Sequence, residues 1–181
     1  MNFQVSWKSI IYKLLQLLKH GSIGRFRRRV IFIEGFFVYR RDREFGRGGG
    51  VCVYVSKATH RKRLADLEDA DHECMWIWLR PNRLPRPLPC VLFTILLIVT
   101  CKNSAIDSLR NKYPDCSIAV LGDFNNLNIS DLTSRQNLKQ VVSRPTRNNA
   151  ILDLIITDFH RFYEDPIILA PFGTSDHNII V

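Results

Sequence analysis

Five polar residues in the last 60 positions of the chain are of types that hydrolyse phosphate esters. Asp123 and Asn125 stand two residues apart, and Asp153 lies within an apolar run. Asp176 and His177 are adjacent near the end of the chain. Carboxylates hold divalent cations and orient nucleophilic water, an amide donates to phosphate oxygens, and an imidazole carries protons. The set predicts metal-assisted hydrolysis of a phosphate ester.

Short apolar runs place these residues at the edge of a β-sheet. Residues 117–120 read Ser-Ile-Ala-Val and predict a buried strand that runs into Gly-Asp-Phe-Asn at 122–125. Open α/β sheets usually hold their ligands at the carboxyl ends of their strands. The basic, glycine-rich stretch 40–49 is interpreted as the loop of a β-hairpin.

Strands alternate with short helices along the rest of the chain. Strands are predicted at 30–39, 50–56, 74–79, 91–99, 152–157, 166–169 and 178–181, and helices at 106–112 and 128–139. This alternation predicts an α/β (α+β) fold, with two packed mixed β-sheets flanked by helices.

Several segments, taken in order, resemble one known family. The matching segments are Gly-Asp-Phe-Asn at 122–125, Pro-Thr-Arg at 145–147, Leu-Asp-Leu-Ile at 152–155 and Ser-Asp-His at 175–177. The chain resembles the endonuclease/exonuclease/phosphatase family, and more narrowly the endonuclease domain of non-LTR (LINE-type) retrotransposons. The resemblance covers residues 31–181, interpreted as a partial domain truncated at its N-terminus. Residues 1–30 lie outside it and are interpreted as a basic amphipathic leader.

The resemblance implies a role for each of the five polar residues. Asp123 would orient or deprotonate the attacking water, and Asn125 would donate an N–H group to the phosphate. His177, as an imidazolium, would stabilise developing charge, and Asp153 would hold its ring in orientation. Asp176 would lie beside a divalent cation, and hard oxygen ligands of this kind favour Mg²⁺.

The Pro-Thr-Arg loop adds two candidate DNA contacts. The resemblance implies that Thr146 and Arg147 lie near the active-site face and bind DNA. The alternative is a loop whose arginine simply faces water.

Three residues that the resemblance calls for are missing from the matching positions. A first-strand Asn and a metal-binding Glu are expected before Arg40, but Glu34 is the only acid before Asp42 and does not match. A catalytic Tyr is expected after the strand predicted at 91–99, where residues 99–103 read Val-Thr-Cys-Lys-Asn. The helix that follows is also shortened. We therefore expect Mg²⁺ to be weakly held and hydrolysis to be impaired or lost.

The net charge of +9 is concentrated in the first third of the chain. Residues 1–63 hold 15 Lys or Arg and three Asp or Glu, whereas residues 64–181 hold 11 and 14. A basic region favours binding to nucleic acid through phosphate contacts. The resemblance makes DNA the expected partner and the nucleus the expected location of a functional protein.

Cysteine usage and hydropathy indicate an intracellular protein without a membrane span. The five cysteines show no metal-ligand spacing, and their odd number favours reduced thiols. The apolar run 90–101 has 12 residues, whereas a helix needs about 20 to cross a bilayer.

The leading hypothesis is a DNA-nicking, metal-dependent endonuclease of retrotransposon type, impaired or inactive in this form. One alternative is a nucleic-acid-binding remnant without catalysis. Another is a phosphatase-type member of the same superfamily.

Overall fold

Strands dominate the regular structure of the described residues. The computed structural model describes residues 33–42, 50–68, 74–80, 91–96, 103–162, 164–171 and 175–181. Its strands are β1 (Phe36–Asp42), β2 (Gly50–Ser56), β3 (His60–Arg63), β4 (Cys74–Arg80), β5 (Val91–Leu96), β6 (Ser117–Asp123), β7 (Lys139–Gln140), β8 (Asp153–Thr157), β9 (Ile168–Leu169) and β10 (Ile179–Ile180). Its α-helices are α1 (Asn103–Lys112) and α2 (Ser130–Gln136).

One six-stranded sheet forms the centre of the described structure. Its strand order is β3-β4-β5-β6-β8-β7, while β1–β2 and β9–β10 form separate two-stranded antiparallel sheets. Within the central sheet only β5 and β6 run parallel. Helix α1 lies between these two strands in the chain, as a parallel pair requires a long crossover. The predicted α+β class is confirmed, whereas the packing of two mixed β-sheets against each other stays a prediction.

The helices cover one face of the central sheet. Side chains alternate between the two faces of a strand, so Ile118 and Val120 of β6 share a face with Leu154 and Ile156 of β8. All four belong to one buried apolar cluster with residues of α1 and α2. Helix α1 contributes Ile106 and Leu109, one turn apart and at most 1% exposed.

The same alternation puts Asp123 and Asp153 on the opposite face. Asp123 is the last residue of β6, and Asp153 is the first residue of β8. The antiparallel register makes them direct partners. Apolar burial of one sheet face therefore fixes where the two carboxylates meet. A register slip of one residue would move the buried side chains of the slipped strand to the opposite face.

Asp158 helps to hold the start of β6 against the end of β8. Its Oδ1 atom accepts a hydrogen bond from the Ile118 N–H at 2.9 Å, and Arg110 lies 3.5 Å from its Oδ2 atom. Burial raises the pKa of the Asp158 carboxyl, although the Ile118 N–H and Arg110 partly offset this effect.

Most predicted elements are present with shifted ends. The hairpin prediction for 40–49 is confirmed by the β1–β2 pairing from Phe36↔Ser56 to Asp42↔Gly50. The first predicted strand began too early, since residues 33–35 lead into β1 through a turn in which Gly35 has a φ of 81°. The predicted leader, residues 1–30, lies outside the described residues.

The helix predicted at 128–139 is shorter than expected. Helix α2 ends because Asn137 adopts a left-handed conformation with a φ of 51°. The N–H of Leu138 then bonds back to the carbonyl of Thr133 at 2.9 Å, and Lys139 enters β7. Strand β3 was not predicted, because its His-Arg-Lys-Arg sequence carries no apolar pattern and pairs only through β4.

Among the described residues, no helix has both the length and the apolar character needed to cross a membrane.

Glu68 ties three strands together through its buried carboxylate. Arg63 of β3 donates to both carboxylate oxygens at 2.9 and 2.7 Å, and Arg41 of β1 lies 3.6 Å away. The backbone N–H of Trp76 on β4 donates to the same group at 3.3 Å. The Glu68 side chain is only 7% exposed. Removing its carboxylate would leave two guanidinium groups without their shared counter-charge.

We predict that Glu68→Ala lowers the free energy of unfolding by about 2–3 kcal/mol. This is less than the roughly 3–5 kcal/mol typical of a fully buried ion pair, because both arginines keep some contact with water. Urea unfolding followed by circular dichroism measures the change. The exposed Glu34→Ala is the control and should shift stability by less than about 0.5 kcal/mol. Equal effects of the two variants would contradict the proposed clamp.

Candidate active site

Two buried carboxylates face each other at one end of the central sheet. Asp123 is 1% exposed and Asp153 is 7% exposed. The backbone continues their pairing for one more step, since the Phe124 N–H donates to the Leu152 carbonyl at 2.8 Å. Both acids therefore sit on rigid strand ends, which fixes their separation.

The turn after β6 is built around Asp123. The N–H of Asn125 donates to Asp123 Oδ1 at 3.0 Å, which is a turn that a short acidic side chain commonly closes. Asn125 itself has a φ of 49°, a left-handed conformation that asparagine tolerates better than most residues. The turn leaves the Asn125 side chain half-buried beside Asp123.

His177 forms a buried pair with Asp153. Its Nδ1 atom lies 2.7 Å from Asp153 Oδ2, and the His177 residue is 6% exposed. The loop is shaped by Ser175, whose Oγ atom accepts from the His177 N–H at 3.1 Å. Because a carboxylate only accepts, the proton in this bond belongs to Nδ1.

The second ring nitrogen of His177 is left available. Nε2 is buried and has no hydrogen-bond partner among the residues that the structure describes. When the ring is neutral, Nε2 presents a lone pair, and when the ring is protonated it presents an N–H donor. A buried polar atom without a partner is costly, and such atoms mark places where a ligand or water completes the bonding.

Thr146 positions the Asp153–His177 pair. It is 0% exposed, and its hydroxyl oxygen accepts from the N–H groups of Leu152 and Asp153, both at 3.0 Å. Its carbonyl accepts from the Asn178 N–H at 2.7 Å. One residue thus joins the loop before β8 to the loop that carries His177. The hydrogen bonds of its hydroxyl group are internal, and the predicted contact of Thr146 with DNA stays a prediction.

Arg147 and Asp176 form an ion pair beside the histidine. Arg147 Nη2 lies 2.5 Å from Asp176 Oδ2. Desolvation opposes ionisation of Asp176, but its own backbone N–H and the Arg147 charge outweigh it, so the pKa of this carboxyl is below its usual value. Asp176 is therefore an anion bound to an internal cation.

Three of the predicted residues could together hold a metal ion. Asp123, Asp153 and His177 each offer a ligand atom, and these atoms lie within 4.8 Å of one another. Two atoms that bind one small divalent cation, each about 2.0–2.2 Å from it, lie at most roughly 4.4 Å apart, so this group is near the spacing that an ion would need. Asp176, the residue expected beside the cation, lies outside this group and bonds to Arg147 instead.

The structure brings most of the predicted site residues together. Asp123, Asp153 and His177 form its buried centre, with Asn125 and Asp176 on neighbouring turns. Sequence reasoning missed the positioning role of Thr146, because it depends on two N–H groups six and seven residues away. It also missed the Arg147–Asp176 ion pair. The only indication of this pair in the sequence is that the two residues carry opposite charges.

Comparison of the chain with models of known protein families found no match, and comparison with curated protein sequences found none either.

We predict that Thr146→Val disrupts the site by leaving two N–H groups without their acceptor. The free energy of unfolding should fall by about 2–4 kcal/mol, because each buried unpaired group costs about 1–3 kcal/mol. Thr146→Ser keeps the hydroxyl and loses one methyl group, so it should cost about 1 kcal/mol. Urea unfolding of the two variants makes the comparison. A larger loss for the serine variant would show that packing of the methyl group, not the hydroxyl, matters here.

Proposed function

We propose that this chain carries a metal-dependent phosphodiesterase site of the DNA-nicking type, weakened relative to a complete one. The observation that carries the proposal is the buried Asp153–His177 pair at 2.7 Å, facing Asp123 across β6 and β8. Carboxylate–imidazole pairs of this kind orient an imidazole for proton transfer or charge stabilisation. The resemblance to LINE-type endonucleases supports the same chemistry.

Each polar residue of the site has its own role in the proposed hydrolysis. Asp153 holds the proton on Nδ1 of His177, so that Nε2 faces the reacting group. Doubly protonated His177 donates from Nε2 to a phosphate oxygen and stabilises its developing charge. Asp123 orients the attacking water, and Asn125 at the edge of the site donates to the phosphate.

A divalent cation fits the same group of residues. Asp123 and Asp153, the two carboxylates of that group, would hold it, while His177 Nε2 stays available to the phosphate; when bound, the cation would neutralise phosphate charge and make bound water more acidic. We propose Mg²⁺, since both of these ligands are carboxylates. With Nδ1 already bonded to Asp153, few strong ligands remain, so the cation is weakly held.

The proposed activity is low because the matching positions lack groups that the resemblance calls for. Neither the Glu nor the Tyr is found there. Losing one preorganised electrostatic group commonly costs about 100- to 1000-fold in rate. DNA is the proposed substrate, and the nucleus is the corresponding location.

A second candidate function is binding of nucleic acid without cleavage. A surface feature far along the chain from the site favours it: the Arg61 guanidinium carbon lies 3.4 Å from the centre of the Phe37 ring. Lys57 lies 5.7 Å from the same ring, and Phe37 is 44% exposed. A flat, partly exposed ring flanked by cations suits stacking on bases and contact with phosphates.

We predict slow, Mg²⁺-dependent nicking of supercoiled plasmid that chelator abolishes. Asp153→Asn should reduce it by about 100-fold or more, because the amide no longer holds the imidazole in the required state. Gel electrophoresis measures the conversion to open circles. Asp131→Asn, an exposed acid on α2, is the matched control and should leave the rate unchanged.

Two results would overturn parts of this account. Nicking as fast as a complete LINE-type endonuclease would contradict the proposed impairment. DNA binding by folded protein with no nicking at any Mg²⁺ concentration would replace the catalytic proposal with the binding one.

A further inference from the structure

Arg147 is half-buried, and its backbone is held firmly. Its backbone is fixed in a small hairpin, where the Arg147 N–H donates to the Ala150 carbonyl at 3.1 Å and the reverse bond measures 2.9 Å. Next to it, the Asn178 amide donates to the Pro145 carbonyl at 3.1 Å. The guanidinium is therefore presented from a rigid base, and only its side chain and that of its partner need to move.

Two buried side-chain nitrogens near this hairpin have no hydrogen-bond partner among the described residues. One is Nε of Arg147 and the other is Nε2 of His177, whose side chain is 5% exposed. The carboxylate of Asp176 reaches toward both residues. Its Oδ2 atom is 2.5 Å from Arg147 Nη2, and its Oδ1 atom is 4.0 Å from His177 Nε2. The first contact is an ion pair, whereas the second is too long for a hydrogen bond.

We propose that Arg147 and His177 form a binding site for a DNA phosphate, and that Asp176 occupies this site when no DNA is bound. The phosphodiester displaces the Asp176 carboxylate and takes over the Arg147 guanidinium together with His177 Nε2. This inference deepens the proposed function and rests on it for the identity of the ligand.

The exchange replaces one anion, the Asp176 carboxylate, by another anion, the DNA phosphodiester. A guanidinium binds carboxylate and phosphate oxygens with the same fork of donors. A phosphodiester is not tethered to the loop as Asp176 is, so it can take a position between Arg147 and His177 Nε2 and bond to both. The exchange also completes the bonding of two buried nitrogens that Asp176 leaves unsatisfied.

The internal carboxylate lowers the apparent affinity for DNA. A group tethered beside its partner competes at a high effective concentration, so DNA binds only the fraction of molecules in which Arg147 is released. Asp176 is 47% exposed and sits on the loop surface, so its side chain can turn toward water when it is displaced.

The test is binding of a short fluorescein-labelled DNA duplex, measured by fluorescence anisotropy in chelator at fixed salt concentration. Asp176→Asn should tighten binding about tenfold, the size expected for freeing one charged hydrogen-bonding group. Asp131→Asn is the matched control, because Asp131 is also an exposed acid paired with an arginine, at 2.6 Å from Arg135. It should change the affinity less than about twofold, which separates the local effect from a change in net charge.

A third variant assigns the gain to Arg147. Arg147→Gln should abolish most of the tightening when it is combined with Asp176→Asn, because no guanidinium is left to release. Urea unfolding of each variant confirms that it is folded. An unchanged or weaker affinity of folded Asp176→Asn would overturn the inference, as would full tightening in the double variant.

The result of the DNA-binding test does not depend on whether the protein cleaves DNA. Binding in chelator requires no cation and no cleavage, so absent nicking with tighter Asp176→Asn binding would reject the catalytic proposal and keep this one. Nicking with unchanged Asp176→Asn binding would do the reverse.

Discussion

The candidate site depends on one buried hydrogen bond, between His177 and Asp153. The bond joins a loop near residue 177 to the first residue of β8, and it leaves Nε2 without a hydrogen-bond partner among the described residues. A buried carboxylate and a buried imidazole would each be costly alone, and together they satisfy much of their bonding. Thr146 supports both sides, through its hydroxyl to β8 and its carbonyl to Asn178.

The pairing of β6 with β8 in the central sheet fixes the position of Asp153, on which this bond depends. Ile118 and Val120 on β6, with Ile156 on β8, are completely buried against the helices, so neither strand can slip without exposing them. The same strand register also pairs Asp123 with Asp153, so burial of the apolar residues fixes this pairing too. A polar cluster at a sheet end is thus positioned by apolar burial several residues away, and the adjoining loops add the histidine and the arginine.

The sequence revealed the central part of the site because local patterns and the site coincide there. An apolar run ending at Gly-Asp-Phe-Asn predicts a strand end, and Asp153 between two leucines is an acid in an otherwise apolar strand. The pairings made by Thr146 and Arg147 depend on how distant loops meet, which no local pattern contains. Strand β3 and the end of α2 at Asn137 were missed for related reasons, since strand pairing and a single left-handed residue decide them.

The measurement that bears most directly on the account is nitrogen NMR of the His177 imidazole in the folded, ¹⁵N-labelled protein, assigned with His177→Gln. The account predicts that Nδ1 carries the proton of the hydrogen bond to Asp153, and that Asp153→Asn changes this signal. A neutral His177 with its proton on Nε2 and a bare Nδ1 would contradict it, because the ring could then not donate from Nδ1 to Asp153.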